Sequence, residues 1–159
     1  MHTAVAFRPI TSQDEEFLYR VYASSREEEL AQVAWGASEK EAFLRMQFSL
    51  QHKYYREVFS AASFLIIELE RLPIGRLYID RTTDEIHIID IALLPEHRGR
   101  GIGTSLLKAI LAEAAANNLP ATIYVERFNR AQNLYRRLGF ATVSESEVYL
   151  LMECKPAQK

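Results

Sequence analysis

The chain has 159 residues, 48% of them hydrophobic and 25% charged, and a formal net charge of −2. That length suits one domain with a core of its own, so residues 1–159 are expected to form a single domain. Nineteen basic against 21 acidic side chains argue against a general nucleic-acid partner, which needs a basic excess.

Met1–Pro9 lacks the basic segment and long apolar run of a secretory signal. Val5–Ile10 reads as a first strand. Ser12 and Glu15 stand at capping-box spacing for a helix, and Phe17, Leu18, Val21 and Tyr22 share one of its faces. Ser24 and Ser25 before Glu27 and Glu28 mark a second helix start, running to about Val33. Ser38 with Glu41 marks a third, and Leu44, Phe48, Gln51 and Tyr55 fall at helical spacing between Glu39 and Phe59.

Ser63–Glu70, Pro73–Arg81 and Glu85–Leu93 then read as three antiparallel strands, separated by turns at 70–73 and 82–84. The apolar stretch Phe64–Ile67 is far too short to span a bilayer. Gly101–Asn117 is a strong amphipathic helix with Ile102, Leu106, Leu107, Ile110, Leu111 and Ala114 on one face. Ala121–Val125 is a short buried strand, and a helix from about Asn129 to Leu138 ends at Gly139, the place for a left-handed cap. Phe140–Ser144 and Val148–Glu153 finish as strands. The order β-α-α-α-β-β-β-α-β-α-β-β is that of an α/β protein with helices on the faces of a mixed sheet.

The segment from Leu93 to Thr104 carries the clearest chemistry. Glycines at 99, 101 and 103 let the chain turn tightly and let an anion approach the main chain. The first turn of the following helix offers unpaired N–H groups and a partial positive charge for phosphate oxygens. Arg98 and Arg100 add full charges. A P-loop would need a lysine after its last glycine, and a dinucleotide fingerprint would need glycine at Thr104. His2, His52, His87 and His97 show no zinc-ligand spacing, so no metal is expected. Cys154 is the single cysteine. It allows no internal disulfide, favours a reducing compartment and reads as a strand residue.

Arg98-Gly99-Arg100-Gly101-Ile102-Gly103 resembles the Arg/Gln-x-x-Gly-x-Gly/Ala motif of the GNAT superfamily of N-acetyltransferases, whose backbone amides bind the CoA pyrophosphate. Ile91–Glu96 looks like that family's fourth strand and its exit, and Asn129–Phe140 resembles its second cofactor motif, with the terminal Leu138-Gly139-Phe140. The resemblance implies a seven-stranded, mostly antiparallel sheet with strands four and five splayed for the cofactor. It implies a cytoplasmic enzyme that moves acetyl from acetyl-CoA, bound as a cosubstrate, to an amine of a small molecule or peptide. Many relatives are homodimers. The competing reading is a CoA-binding regulatory module without turnover.

Residue by residue, the resemblance makes Arg98, Gly99, Arg100, Gly101, Ile102, Gly103 and Thr104 the pyrophosphate cradle. The N–H of Leu93 would polarise the thioester, and Asn129 would hold the pantetheine arm, although its position also suits a helix cap. Tyr135 would protonate the departing thiolate, as a phenol of pKa about 10 can; alone it would read as a core tyrosine. His87 lies where some members place a base, and its ordinary pKa of about 6.5 suits that work. Asp90, Glu126 and solvent compete with it. Ile88 and Ile89 break the alternation of their strand, through a bulge or through burial on both faces, and the resemblance favours the bulge. Trp35, Phe48, Tyr54 and Tyr55 could line an acceptor pocket or belong to the core.

Overall fold

Arg8 ties together two carboxylates distant from each other in sequence, Asp14 and Glu68. Its guanidinium donates to both oxygens of Asp14 at 2.8 Å and to Glu68 at 3.0 Å, a bidentate charge-assisted arrangement. Asp14 also accepts the backbone N–H of Thr11 at 2.8 Å. The computed structural model that holds this network describes residues 5–157, so His2 lies outside it. The capping box therefore forms at Thr11 and Asp14, one residue before the expected pair Ser12 and Glu15. Arg8 selects the aspartate.

The described elements are β1 (Val5–Pro9), α1 (Glu15–Ser25), α2 (Glu27–Ala31), α3 (Ala37–Val58), β2 (Ser63–Leu69), β3 (Leu72–Arg81), β4 (Ile86–Leu93), α4 (Ile102–Ala116), β5 (Ala121–Glu126), α5 (Ala131–Arg137), β6 (Ala141–Glu145) and β7 (Tyr149–Cys154). Short 3-10 turns precede α1, at Ser12–Asp14, and follow β4, at Pro95–His97. The element order is the expected one. Ser24 and Ser25 do not open α2: their hydroxyls donate to the carbonyls of Val21 and Tyr22 and so finish α1. Gly36, not Ser38, is the N-cap of α3.

All seven strands join one mixed, mostly antiparallel sheet in the order β1-β2-β3-β4-β5-β7-β6, with β4 and β5 the parallel pair. Two units contribute to it, one of residues up to Leu77 with Ala92–His97, the other of Tyr78–Ile91 with the residues from Arg98 onward. In the first, Leu18, Val21 and Tyr22 of α1 are buried with Leu44 and Phe48 of α3 and Ile66 and Ile67 of β2. Phe48 packs against both Tyr19 and Tyr22 at 5.9 Å between ring centres, so it is core. In the second, Leu106, Leu107, Ile110 and Ala114 of α4 are buried, as are Ile123 and Met152.

β2 and β3 meet through Glu70 and Arg71, both at positive φ (52° and 69°). That is the two-residue hairpin geometry that matches strand twist, usually built from Asn-Gly. Ile86 through Ile89 are all buried, so burial on both faces is enough to account for the Ile88–Ile89 doublet without the bulge that the resemblance favoured.

The Arg8 contact holds the Asp14 carboxyl at about 2, below the ordinary value of about 3.9. A depressed carboxylate pKa contributes stability that is present above pH about 4 and lost as pH falls toward about 2. Asp14→Asn should lower stability at pH 7 and flatten the decline between pH 4 and 2. Denaturant midpoints measured at three pH values test this; an unchanged acid slope would place the acid sensitivity elsewhere.

Candidate functional site

β4 and β5 pair only over Ile86↔Ala121, His87↔Thr122 and Ile88↔Ile123. Both strands continue, β4 to Leu93 and β5 to Glu126, and β5 stays paired on its other side with β7 along its whole length. The two strands are thus splayed after their third pair, as expected.

His87 sits in the closed end. It is buried, its Nδ1 lies 2.8 Å from Thr122 Oγ1, and its ring meets Tyr124 edge-on at 5.6 Å. Glu85 is 3.9 Å away. Burial lowers the imidazole pKa, with Glu85 and Asp80 acting weakly the other way.

The glycine turn has the geometry that its sequence requires. Gly99 and Gly101 adopt φ of +73° and +82°, in the left-handed region where a Cβ is strained. Nothing lies within 4 Å of a Cβ built on either residue, so the limit on substitution is conformational. Gly101 is the N-cap of α4 and has no side chain to accept from the first turn. The amides of Ile102, Gly103 and Thr104 open that helix without an intrahelical acceptor. Arg98, Arg100, Gly99 and Gly101 are exposed, while Ile102, Gly103 and Thr104 are half-buried. These residues present charge and backbone donors to solvent.

Tyr135 is buried on α5, and burial together with the nearby Asp90 pushes its phenol up to about 12. Its ring stands 5.8 Å from that of Phe140. The Leu138-Gly139-Phe140 end explains this contact. Gly139 turns left-handed at φ +107°, and the Phe140 N–H returns to the carbonyl of Tyr135 at 3.0 Å. A Cβ at Gly139 would come within 3.3 Å of Cys154 Sγ, so Cys154 is packing against this turn. Asn129 accepts the Ala131 N–H at 2.9 Å through Oδ1, which is the capping role. Its side-chain NH₂ is a separate pair of donors.

In the other unit β4 ends beside β3. Leu93 is buried, and the N–H of Leu94 donates to the Ile74 carbonyl at 2.8 Å. Gly75 is buried here, and a Cβ on it would overlap the Ala92 carbonyl oxygen and approach Leu93 Cα at 3.0 Å. A glycine inside a strand is the signal of such a close approach, and sequence reasoning passed over it. A groove of about 530 Å³ adjoins this strand end, lined by parts of α1, α2 and α3 and by Leu94–Glu96. Trp35, Tyr54 and Tyr55 do not line it. Trp35 stacks edge-on against Phe43, and Tyr55 packs between Tyr54 and Phe59.

Among the described residues no group of three or more His, Cys, Asp or Glu side chains could hold a metal ion, and no helix is long and apolar enough to cross a membrane.

Residues 18–140 match the model of the acetyltransferase (GNAT) family. A thialysine N-epsilon-acetyltransferase of Mus musculus is 36% identical over 77 residues, covering 46% of this chain and 45% of that protein. A GCN5-like protein acetyltransferase of Mycobacterium tuberculosis is 34% identical over 84 residues, covering 50% and 40%. The chain thus matches less than half the length of these curated relatives. Among solved structures, the PaiA N-acetyltransferase of Thermoplasma acidophilum in complex with coenzyme A superposes with a TM-score of 0.70 at 22% identity. That match covers 96% of this chain and 99% of the other and shows the shared fold.

Gly75→Ala should destabilise the protein by about 1–3 kcal/mol, because the main chain it strikes cannot rotate aside. Gly36→Ala, at φ −71° with nothing within 4 Å of the new Cβ, should be near neutral. Equal denaturation midpoints for the two variants would contradict the close approach of β3 to Ala92.

Proposed function

The chain belongs to the acetyltransferase (GNAT) family, and we propose that residues 1–159 act as a single N-acetyltransferase domain. In this reading it transfers acetyl from acetyl-CoA to a primary amine of a small molecule or peptide, directly, in a ternary complex. The observation that carries the proposal is the turn at Gly99 and Gly101, left-handed and open, that delivers the chain into the uncapped start of α4.

That turn fits a pyrophosphate. Backbone amides at a helix start and two exposed arginines supply the donors and charge that phosphate oxygens need. Arg98, Gly99, Arg100, Gly101, Ile102, Gly103 and Thr104 are assigned to it. Asn129 keeps its side-chain donors for the pantetheine arm while Oδ1 caps α5. The parting of β4 from β5 leaves room for that arm beside β4. The relative solved with coenzyme A supports the same cosubstrate here.

In the transfer, the N–H of Leu93 is assigned to polarise the thioester carbonyl. The acceptor nitrogen forms the new bond to the acetyl carbon as the carbon–sulfur bond breaks. Tyr135 gives its phenolic proton to the sulfur and recovers one from solvent. Burial and Asp90 hold that phenol neutral, so the donor form is fully present at every pH below about 10. The proton leaving the amine goes to water.

His87 is assigned no part in this. It lies six residues from Leu93 along β4, about 20 Å at strand rise. Its Nδ1 is taken up by Thr122, and burial works against protonation. Its role in this reading is to close the paired end of the sheet.

Free-thiol release from acetyl-CoA, followed with a panel of amines, tests the activity. Tyr135→Phe should lower kcat by about 10²–10⁴-fold, the usual size of a proton-transfer contribution, with the affinity for acetyl-CoA nearly intact. His87→Gln should leave the pH dependence of kcat unchanged, and a lost pH limb in that variant would restore it as the base. Gly101→Val, forced into a left-handed φ, should weaken coenzyme A binding at least about tenfold. Wild-type affinity in calorimetry would remove the cradle assignment.

A further inference from the structure

The groove beside Leu94 combines an apolar floor with four charges that have no ion pair within the described residues. Leu44 and Leu94 are buried along it. Arg20 on α1, Glu27 on α2, Lys40 on α3 and Glu96 after β4 all line it, and none of them has an ion pair or a side-chain hydrogen bond among the described residues. Three arginines of this unit are ion-paired within it: Arg8 with Asp14 and Glu68, Arg26 with Glu29, Arg45 with Glu16 and Glu41. The four groove charges are distinguished by lining one concave, partly apolar site.

Lys40 is the most telling of the four. It is half-buried, whereas Arg20, Glu27 and Glu96 are exposed. An ammonium partly removed from water gains most from an anionic partner. A simple amine or polyamine would bring only positive charge to a groove that already holds Lys40 and Arg20. A simple acid would leave Glu27 and Glu96 unanswered. A molecule with one amine and one carboxylate answers both, and a volume of about 530 Å³ is that of a small-molecule site.

Building on the acetyltransferase reading, we propose that this groove binds a small zwitterionic acceptor, an amino-acid-like molecule, with its carboxylate at Lys40 and Arg20 and its amine toward Glu96. The orientation follows from the chain. Glu96 is three residues beyond Leu93, the residue assigned to the thioester, so the reacting nitrogen belongs at that end. The carboxylate belongs at the helical wall.

Thiol release is measured with acetyl-CoA and a panel of free amino acids, each compared with its own methyl ester, alongside diamines and short peptides. The ester keeps the amine and removes only the negative charge. For the accepted amino acid, kcat/KM should exceed that of its ester by about 10–100-fold, the value of one charge-assisted contact. Lys40→Met should bring that ratio to within about threefold of one, through KM for the free acid, and its midpoint of unfolding should match the wild type. Preference for esters, diamines or peptides, or an acid-to-ester ratio that survives Lys40→Met, would overturn the zwitterionic acceptor and leave the transferase reading standing. Coenzyme A binding without turnover of any amine would overturn both.

Discussion

Where β4 stops pairing with β5 decides what the sheet can do. Three residue pairs hold the strands together, and they are the most completely buried part of β4, with Ile86 and Ile88 almost without exposure. Beyond Ile88 the exposure of β4 rises, and Asp90, Ile91 and Ala92 are half-buried. A strand that lost pairing on both sides would fray, since its backbone groups would lose their partners. β5 avoids this because β7 pairs with it from Ala121 to Glu126. The continuous β5–β7 ladder allows the β4 side to open without loss of order.

Glycine is used in two physically different ways around that opening. Gly99, Gly101 and Gly139 adopt left-handed φ, and at Gly99 and Gly101 the space around a Cβ is empty. Those positions need backbone freedom. Gly75 has no such φ and is needed for space, because the Ala92 main chain occupies the place of its Cβ. One kind of glycine shapes the turn into α4 and the end of α5. The other sets how closely β3 can approach the last residues of β4. The distinction predicts different consequences for substitution: strain that is local to a turn, against displacement of a strand end.

Much of this architecture was legible because its determinants are local. The face of α4 from Ile102 to Ala114, the strands rich in isoleucine and the glycine turn each declare themselves within a dozen residues. What the sequence did not carry depends on long-range partners. Ser12 and Glu15 have capping-box spacing, but Arg8 and Glu68 decide for Asp14. His87 offers a candidate base on its own strand, while the contact of its ring nitrogen with Thr122, 35 positions later, is seen only in the structure. The aromatic run of α3 was open between pocket wall and core, and Phe48 is resolved as core by Tyr19 and Tyr22. Gly75 was visible in the sequence as a glycine inside a strand. Its partner at Ala92 was not.

The same separation of scales governs charge. A net charge of −2 from 40 charged side chains reads as a neutral molecule and selects no ligand. The structure shows how two groups of those charges are used. Arg8, Arg26 and Arg45 of the first unit are tied to carboxylates, and the Arg8 ties fix the entry to α1. Arg20, Lys40, Glu27 and Glu96 are gathered in one groove without such ties. On the reading proposed above, acceptor specificity is assigned to the helices that precede β2. The chemistry assigned to the strand end uses backbone groups, whose donors do not change when a side chain is replaced. A family built this way can keep its transfer step while the front helices change their charges.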